Sequence, residues 1–214
     1  MSGSLGRRLI VAALAGLLVV TGLAPGGLGM AQADTTVEQV QSIDTTEWTP
    51  LAPGPTGLVY DAANNDLLVV DGDRNAIEPF DGINLWVYSL DTNTVTDTGS
   101  LPTDEPTGIA YDPSGNGTLF VSDDNPSGVH VIDLQNGVFD DTDLSDFIDL
   151  GVEGSGDTED PTLAANGHLY VLNGEAAQIF DIDPVDGDFT NGVTITDFVI
   201  PPPISGTRPE EWEG

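Results

Sequence analysis

Beyond about residue 50, short runs of β-branched and aromatic residues alternate with clusters of Gly, Pro, Asn and Asp. Runs bounded in this way read as strands, and the same stretch carries no helical period. One run alternates, as in residues 83–90 ("INLWVYSL"), whereas residues 67–72 ("LLVVDG") begin with an unbroken apolar run. A short continuous apolar run suits a strand covered on both faces.

The runs recur as sets. "GPTGLVYDAANNDLLVVDGD" is rewritten about fifty residues later as "EPTGIAYDPSGNGTLFVSDDN" and again, loosely, as "EDPTLAANGHLYVLNGE". Matching the motifs by eye sets Pro55-Thr56-Gly57 against Pro106-Thr107-Gly108 and, less well, Pro161-Thr162-Leu163. Second strands are expected at 67–72, 119–124 and 169–174, ending near Asp71, Asp123 and Asn173. Third strands are expected at 83–90, 128–134 and 177–182, and weaker fourth strands near 94–99, 146–152 and 193–200. Four strands in a repeat of about forty to fifty residues is the signature of a β-propeller blade. The fold class expected is therefore all-β, a propeller of four-stranded blades over about 55–103, 104–158 and 159–208.

The ends add two expectations. Residues 209–214 resemble the start of another blade, and three blades do not close a ring, since propellers carry about four to eight. Closure then needs missing C-terminal blades or further chains, and residues 37–43 ("VEQVQSI") fit a strand completing the last blade. At the other end, Arg7 and Arg8 precede an apolar run and an Ala31-Gln32-Ala33 site. This is the pattern of a secretory signal peptide over 1–33, which places the remainder, 34–214, in a secreted, extracellular or periplasmic setting with no membrane attachment after cleavage. A retained anchor is the alternative, although the run is short for spanning and is broken by Gly22, Pro25, Gly26 and Gly27.

Composition narrows the function. There are 36 acids against 4 arginines, no lysine and no cysteine, for a formal charge of −32. Such a surface repels phosphate backbones and excludes nucleic acid as a partner. Without cysteine there is no thiolate chemistry and no disulfide framework. Without lysine there is no Schiff base or P-loop. The acids have two explanations, a halophilic solvated shell or divalent-cation sites.

The stretches "PTGIAYDP", "GTLFVSDDN" and "GVHVID" resemble the blades of secreted bacterial six-bladed propellers of the NHL-repeat and gluconolactonase-like superfamily, including its esterase-like-phytase relatives. The resemblance covers about residues 37–214. It implies a central channel, with calcium as the usual ion. In gluconolactonase-type members carboxylates and an Asn at the channel mouth hold a metal that polarises a lactone or ester, whereas NHL-type members are often binding platforms. The third unit departs from the pattern, because it lacks "YDP" after its first strand and is shorter there.

In a four-stranded blade, the loop entering the first strand and the loop leaving the second share one face. That gathers Asp71, Asp73, Glu105, Asp123, Asp124, Asn173 and Glu175, together with Glu159 and Glu213, around one mouth. Calcium takes about six to eight oxygens in flexible geometry, which such a rim offers. The same residue types also cap tight turns by bonding local backbone, so Asp71, Asp123 and Asn173 fit either role. The acidic stretches at 181–192 and 140–146 read as a solvated hairpin and an exposed loop, since neither has the spacing of an EF-hand. His130 and His168 stand apart, with no G-x-S-x-G to suggest a triad. Trp48, Trp86 and Trp212 read as core packing ahead of a sugar cleft. Gly57 and Gly108 read as points of close strand approach.

The function expected is an exported acidic binding or interaction module with calcium at its rim, taking a small molecule, a glycan or a protein. Two alternatives stand beside it. One is a calcium-dependent hydrolase of esters, lactones or phosphoesters, with the metal as Lewis acid and a free carboxylate as base. The other is a structural extracellular protein with a salt-adapted surface.

Overall fold

The computed structural model describes residues 9–11, 41–72, 82–103, 105–140 and 143–199. Three of its sheets have four antiparallel strands in simple sequential order. After a small pair formed by β1 (Leu9–Val11) and β2 (Gln41–Ile43), the first sheet holds β3 (Pro55–Asp61), β4 (Asp66–Asp71), β5 (Leu85–Ser89) and β6 (Thr94–Gly99). The second holds β7 (Pro106–Asp112), β8 (Thr118–Asp124), β9 (Ser127–Asp133) and β10 (Leu144–Asp149). The third holds β11 (Thr158–Leu163), β12 (Leu169–Asn173), β13 (Gln178–Val185) and β14 (Asp188–Val199). This is an all-β, propeller-like arrangement. The four-strand unit read from the sequence is present in each sheet.

The strands form where the pattern places them because each face has something to cover. Leu67, Val69 and Val70 of β4 are all essentially buried. One cluster between the first and second sheets joins Leu68, Val70 and Leu85 to Ile109, Leu119, Val121 and Ile132. Another joins Phe120, Val129 and Val131 of the second sheet to Leu169, Val171, Phe180 and Ile182 of the third. The core thus lies between sheets, and a middle sheet needs apolar residues on both faces. Trp86 is buried as expected, with Nε1 donating to the Pro50 carbonyl at 2.9 Å. Trp48 stacks on Tyr88 at 5.3 Å; Trp212 lies outside the described residues.

Turn chemistry also agrees with the sequence. The hairpin between β13 and β14 turns on Asp186 and Gly187, both at positive φ. That Asp-Gly pair is a preferred two-residue hairpin turn, and the stretch expected as a solvated hairpin is one. The other acidic stretch, 140–146, is loop only in part, because residues 144–146 open strand β10; that strand runs over Leu144–Asp149, where 146–152 was expected, and residues 151–153 form a 3-10 turn.

Two differences concern the ends and the third unit. Residues 41–43, expected to complete the last blade, pair with Leu9–Val11, and Ile43 is buried against Leu67, Val69 and Tyr88 of the first sheet. Residues 37–40, the signal-peptide expectation apart from 9–11, and the start of a further unit at 209–214 lie outside the described residues. No helix among the described residues is long and apolar enough to cross a membrane.

The third unit is out of step with the motif alignment. Pro55 opposes Asp71, Pro106 opposes Asp123, and the residue opposing Asn173 is Thr158, not Pro161. Pairing is set by the second strand and by a bulge that each inner strand carries just after this position. The Pro-Thr pair at 161–162 therefore imitates Pro106-Thr107 three positions late.

Candidate functional site

The inner strands β3, β7 and β11 lie side by side. Thr56 Oγ1 donates to the Pro106 carbonyl at 2.5 Å, and Thr107 Oγ1 donates to the Thr158 carbonyl at 2.6 Å. Each inner strand is thereby tied to the next. Glycine makes the approach possible: a Cβ on Gly57 would stand 2.7 Å from Gly108 Cα, and one on Gly108 would stand 2.7 Å from Asp160 Cα. In the corrected register Gly57, Gly108 and Asp160 are equivalent, so a carboxylate stands where the first two sheets have no side chain.

Along these strands runs a groove of about 550 Å³. Thr56, Leu58, Tyr111, Asp160, Pro161 and Thr162 are among its lining residues. The Asp160 carboxyl is reached from the groove side yet hemmed against Gly108 and its backbone. This partial burial pushes its pKa above the ordinary carboxylate value. Tyr111 is also pushed up, first by burial and then by the charges of Asp61 and Asp112.

The rim residues singled out from the sequence occupy equivalent places but do different things. Asp71 is fully buried, and its Oδ2 accepts the Gly54 N–H at 2.8 Å. Asp123 is buried too. Its Oδ1 accepts the Asn125 N–H at 2.9 Å, and its Oδ2 faces His130 Nε2 at 3.4 Å. Burial pushes this carboxyl up, but hydrogen bonds from His130, Thr103 and Asn125 outweigh it and leave the group below its usual range. Asn173 donates to Gln178 Oε1 at 3.2 Å, while its own buried Oδ1 has no hydrogen-bond partner. Asp124 Oδ1 is likewise buried and unpartnered. Burial and then the neighbouring Asp123 charge push the Asp124 carboxyl up.

Glu105 and Glu175 are exposed. Glu159 lies within β11, at the position of Thr56 and Thr107, with its side chain beside Gly174; the counterpart of Glu105 is Asp157. Asp73 and Glu213 lie outside the described residues.

Among the described residues no three His, Asp or Glu side chains converge where they could hold a metal ion. Asp71 and Asp123 are engaged with backbone in the way turn chemistry predicts, whereas Asp124 keeps a buried oxygen without a partner. The described rim residues thus form no cluster of three around one point, and Asp73 and Glu213, also expected there, lie outside the described residues. The imidazoles are engaged as well. His130 faces Asp123 and lies 4.8 Å from the Phe147 ring. His168 sits between Asp181 at 2.7 Å and Asp183 at 3.4 Å.

Asp160 is the residue that motif matching missed. Its signal was available by counting back from Asn173, the fixed polar end of the second strand, in place of forward from Pro161.

No protein-family profile matches the sequence, and no curated protein matches it. Among solved structures the chain is similar to selenomethionine-substituted virginiamycin B lyase from Staphylococcus aureus, at 16% identity and a TM-score of 0.49, over 72% of this chain and 44% of that one. It is also similar to a catalytically inactive variant of that lyase with quinupristin, at 18% identity and a TM-score of 0.39, over 72% of this chain and 58% of the other. The chain thus spans about half the length of these structures. At this overlap the likeness bears on neither ligand nor reaction, and the propeller-like assignment rests on the three sheets themselves.

Proposed function

We propose that this chain is a binding module that takes a neutral hydroxyl-rich or cationic small molecule, a sugar first, in the groove along its inner strands. The observation that carries the proposal is Asp160, an acceptor at the position glycine holds in the other two sheets, in a groove that Tyr111 and exposed threonines also line. The groove volume falls within the roughly 300–1,000 Å³ usual for ligand sites. A groove lined by a carboxylate, hydroxyls and an aromatic ring suits a polyol or a cation. The leader-like N-terminus and acidic composition fit a module working outside the cell in salt. No metal enters the proposal, because the described rim does not gather its ligands.

The test is a glycan array probed with the labelled chain in high sodium chloride, with spermine as the cationic probe in calorimetry. Saturable binding weakened tenfold or more by Asp160→Asn is the expected outcome. Retention of neither class, or binding indifferent to that substitution, sinks the proposal.

A further inference from the structure

We propose that Asn116 is an N-glycosylation site, taking an oligosaccharide on its side-chain nitrogen during export. The acceptor triplet is Asn-x-Ser/Thr with any middle residue but proline, and Asn116-Gly117-Thr118 is the only stretch of the chain that spells it. Asn125-Pro126-Ser127 carries the excluded proline. The triplet is used where it lies on the surface of an exported protein. The inference therefore rests on the export expected from residues 1–33, and on neither the groove nor its ligand.

The surface is present. Between β7 and β8 the Gly117 N–H donates to the Ser114 carbonyl at 2.9 Å, closing a tight turn with Gly115 and Asn116 at its centre. Gly115 has a positive φ, and a Cβ there would meet nothing within 4 Å. Asn116 is exposed, and its Nδ2 donates to the Gln135 carbonyl at 2.7 Å. A primary amide nitrogen carries two hydrogens, so the bond to Gln135 can outlast replacement of the other one. In the transfer, Asn116 Nδ2 attacks the anomeric carbon of a lipid-diphosphate-linked oligosaccharide. The carbon–nitrogen bond forms as the bond from that carbon to the diphosphate oxygen breaks. Lipid diphosphate leaves, and the amide proton passes to a base of the transferase.

The equivalent turns separate this reading from ordinary turn chemistry. Leu67, Leu119 and Leu169 hold equivalent places in the register, and three residues ahead of them stand Asn64, Asn116 and Asn166, all exposed. Asn64 donates to Asp61 Oδ2 at 2.7 Å, and Asn166 donates to Tyr170 Oη at 3.2 Å. An asparagine here is thus explained by the turn alone. The residue two positions on is not, being Asp66 in the first unit, His168 in the third and Thr118 in the second. His168 is engaged with Asp181 at 2.7 Å, whereas the half-buried Thr118 has a hydroxyl that bonds no described residue. The second unit alone joins the exposed asparagine to the hydroxyl that the triplet requires.

Mass spectrometry of the full chain as its own cells produce it tests this, read on the peptide holding Asn116 and on the N-terminus. The expected result is a chain without residues 1–33 that carries sugar at Asn116. Occupancy is expected to fall at least tenfold in Asn116→Gln and Thr118→Ala and to persist in Thr118→Ser. His168→Thr, which spells the same triplet on the third unit's turn, is expected to add a glycan at Asn166. A chain that has lost residues 1–33 and has a bare Asn116 overturns the site, most sharply if Asn166 is modified in His168→Thr. A chain that keeps residues 1–33 overturns the export on which the site depends. A mass change at Asn116 that matches deamidation alone overturns it as well, and so does sugar that persists at full occupancy in Thr118→Ala.

Discussion

The second and third sheets share strand number, strand order and a polar residue at the end of the second strand, yet they differ in what surrounds them. The second sheet is covered on both faces, so its Phe120 is wholly buried. The third is covered on one face, and Tyr170, at the same position, is half-buried. Their inner strands differ too, with Gly108 in one and Asp160 in the other. The comparison teaches that the repeat is held by register and by neighbours, and that the motif spelled at its start is free to drift.

Burial gives the largest way to break the likeness. Phe120→Ala is expected to destabilise by about 3–5 kcal/mol, against about 0.5 kcal/mol for Tyr170→Ala in the single chain. Urea unfolding at low salt measures both, and equal losses would mean the third sheet is covered after all. Next comes the inner-strand row. Gly108→Ala pushes a methyl into the Asp160 backbone and is expected to cost about 1–3 kcal/mol. Gly167→Ala, in an open turn at positive φ, is strained by its backbone alone, at about 1 kcal/mol.

The rim gives a smaller contrast. Asp71→Ala strands the buried Gly54 N–H and is expected to cost about 1–3 kcal/mol. Asn173→Ala removes an acceptor that has no partner and is expected to cost less than Asp71→Ala in the same unfolding series.

Acid titration gives the finest test. Asp123 is lowered in the native state, so its stabilisation is present above the ordinary carboxylate value of about 3.9 and disappears as pH falls through its own lowered value. Asp160 is raised, so its cost is complete above its raised native pKa and vanishes as pH falls to the ordinary value. Asp123→Asn is therefore expected to lose about 1 kcal/mol at neutral pH, whereas Asp160→Asn is expected to change stability by less and in the opposite direction, because Asp160 is exposed as a residue and solvent screens its charge. Thermal melts of both are expected to converge on the parent in acid. Parallel curves at every pH would remove the electrostatic explanation.

Much of this was legible because strands and turns are local. The runs around Leu67, Leu119 and Leu169 and the turn at Asp186-Gly187 announce themselves within a few residues. Equivalence of Asp71, Asp123 and Asn173 was legible from spacing, and the backbone N–H groups of Gly54 and Asn125 explain why an acid recurs at the first two. The register of β11 was not legible from its own residues, since Pro161-Thr162 looks like Pro106-Thr107 and only pairing with β12 distinguishes them. Asp160 was hidden by that slip. The partners of the rim acids were hidden for another reason: Gly54 and Thr103 reach Asp71 and Asp123 across loops, and neither residue type marks a hydrogen-bond donor aimed at a carboxylate.

Every strand of the three main sheets pairs with its neighbour in sequence. Each sheet can consequently close on itself as soon as its fourth strand exists, without waiting for a distant partner, and low sequence separation of contacts favours rapid folding. Order then spreads along the row by nearest-neighbour coupling. In such an array the end units open first, and losing one removes a single interface and leaves the rest standing.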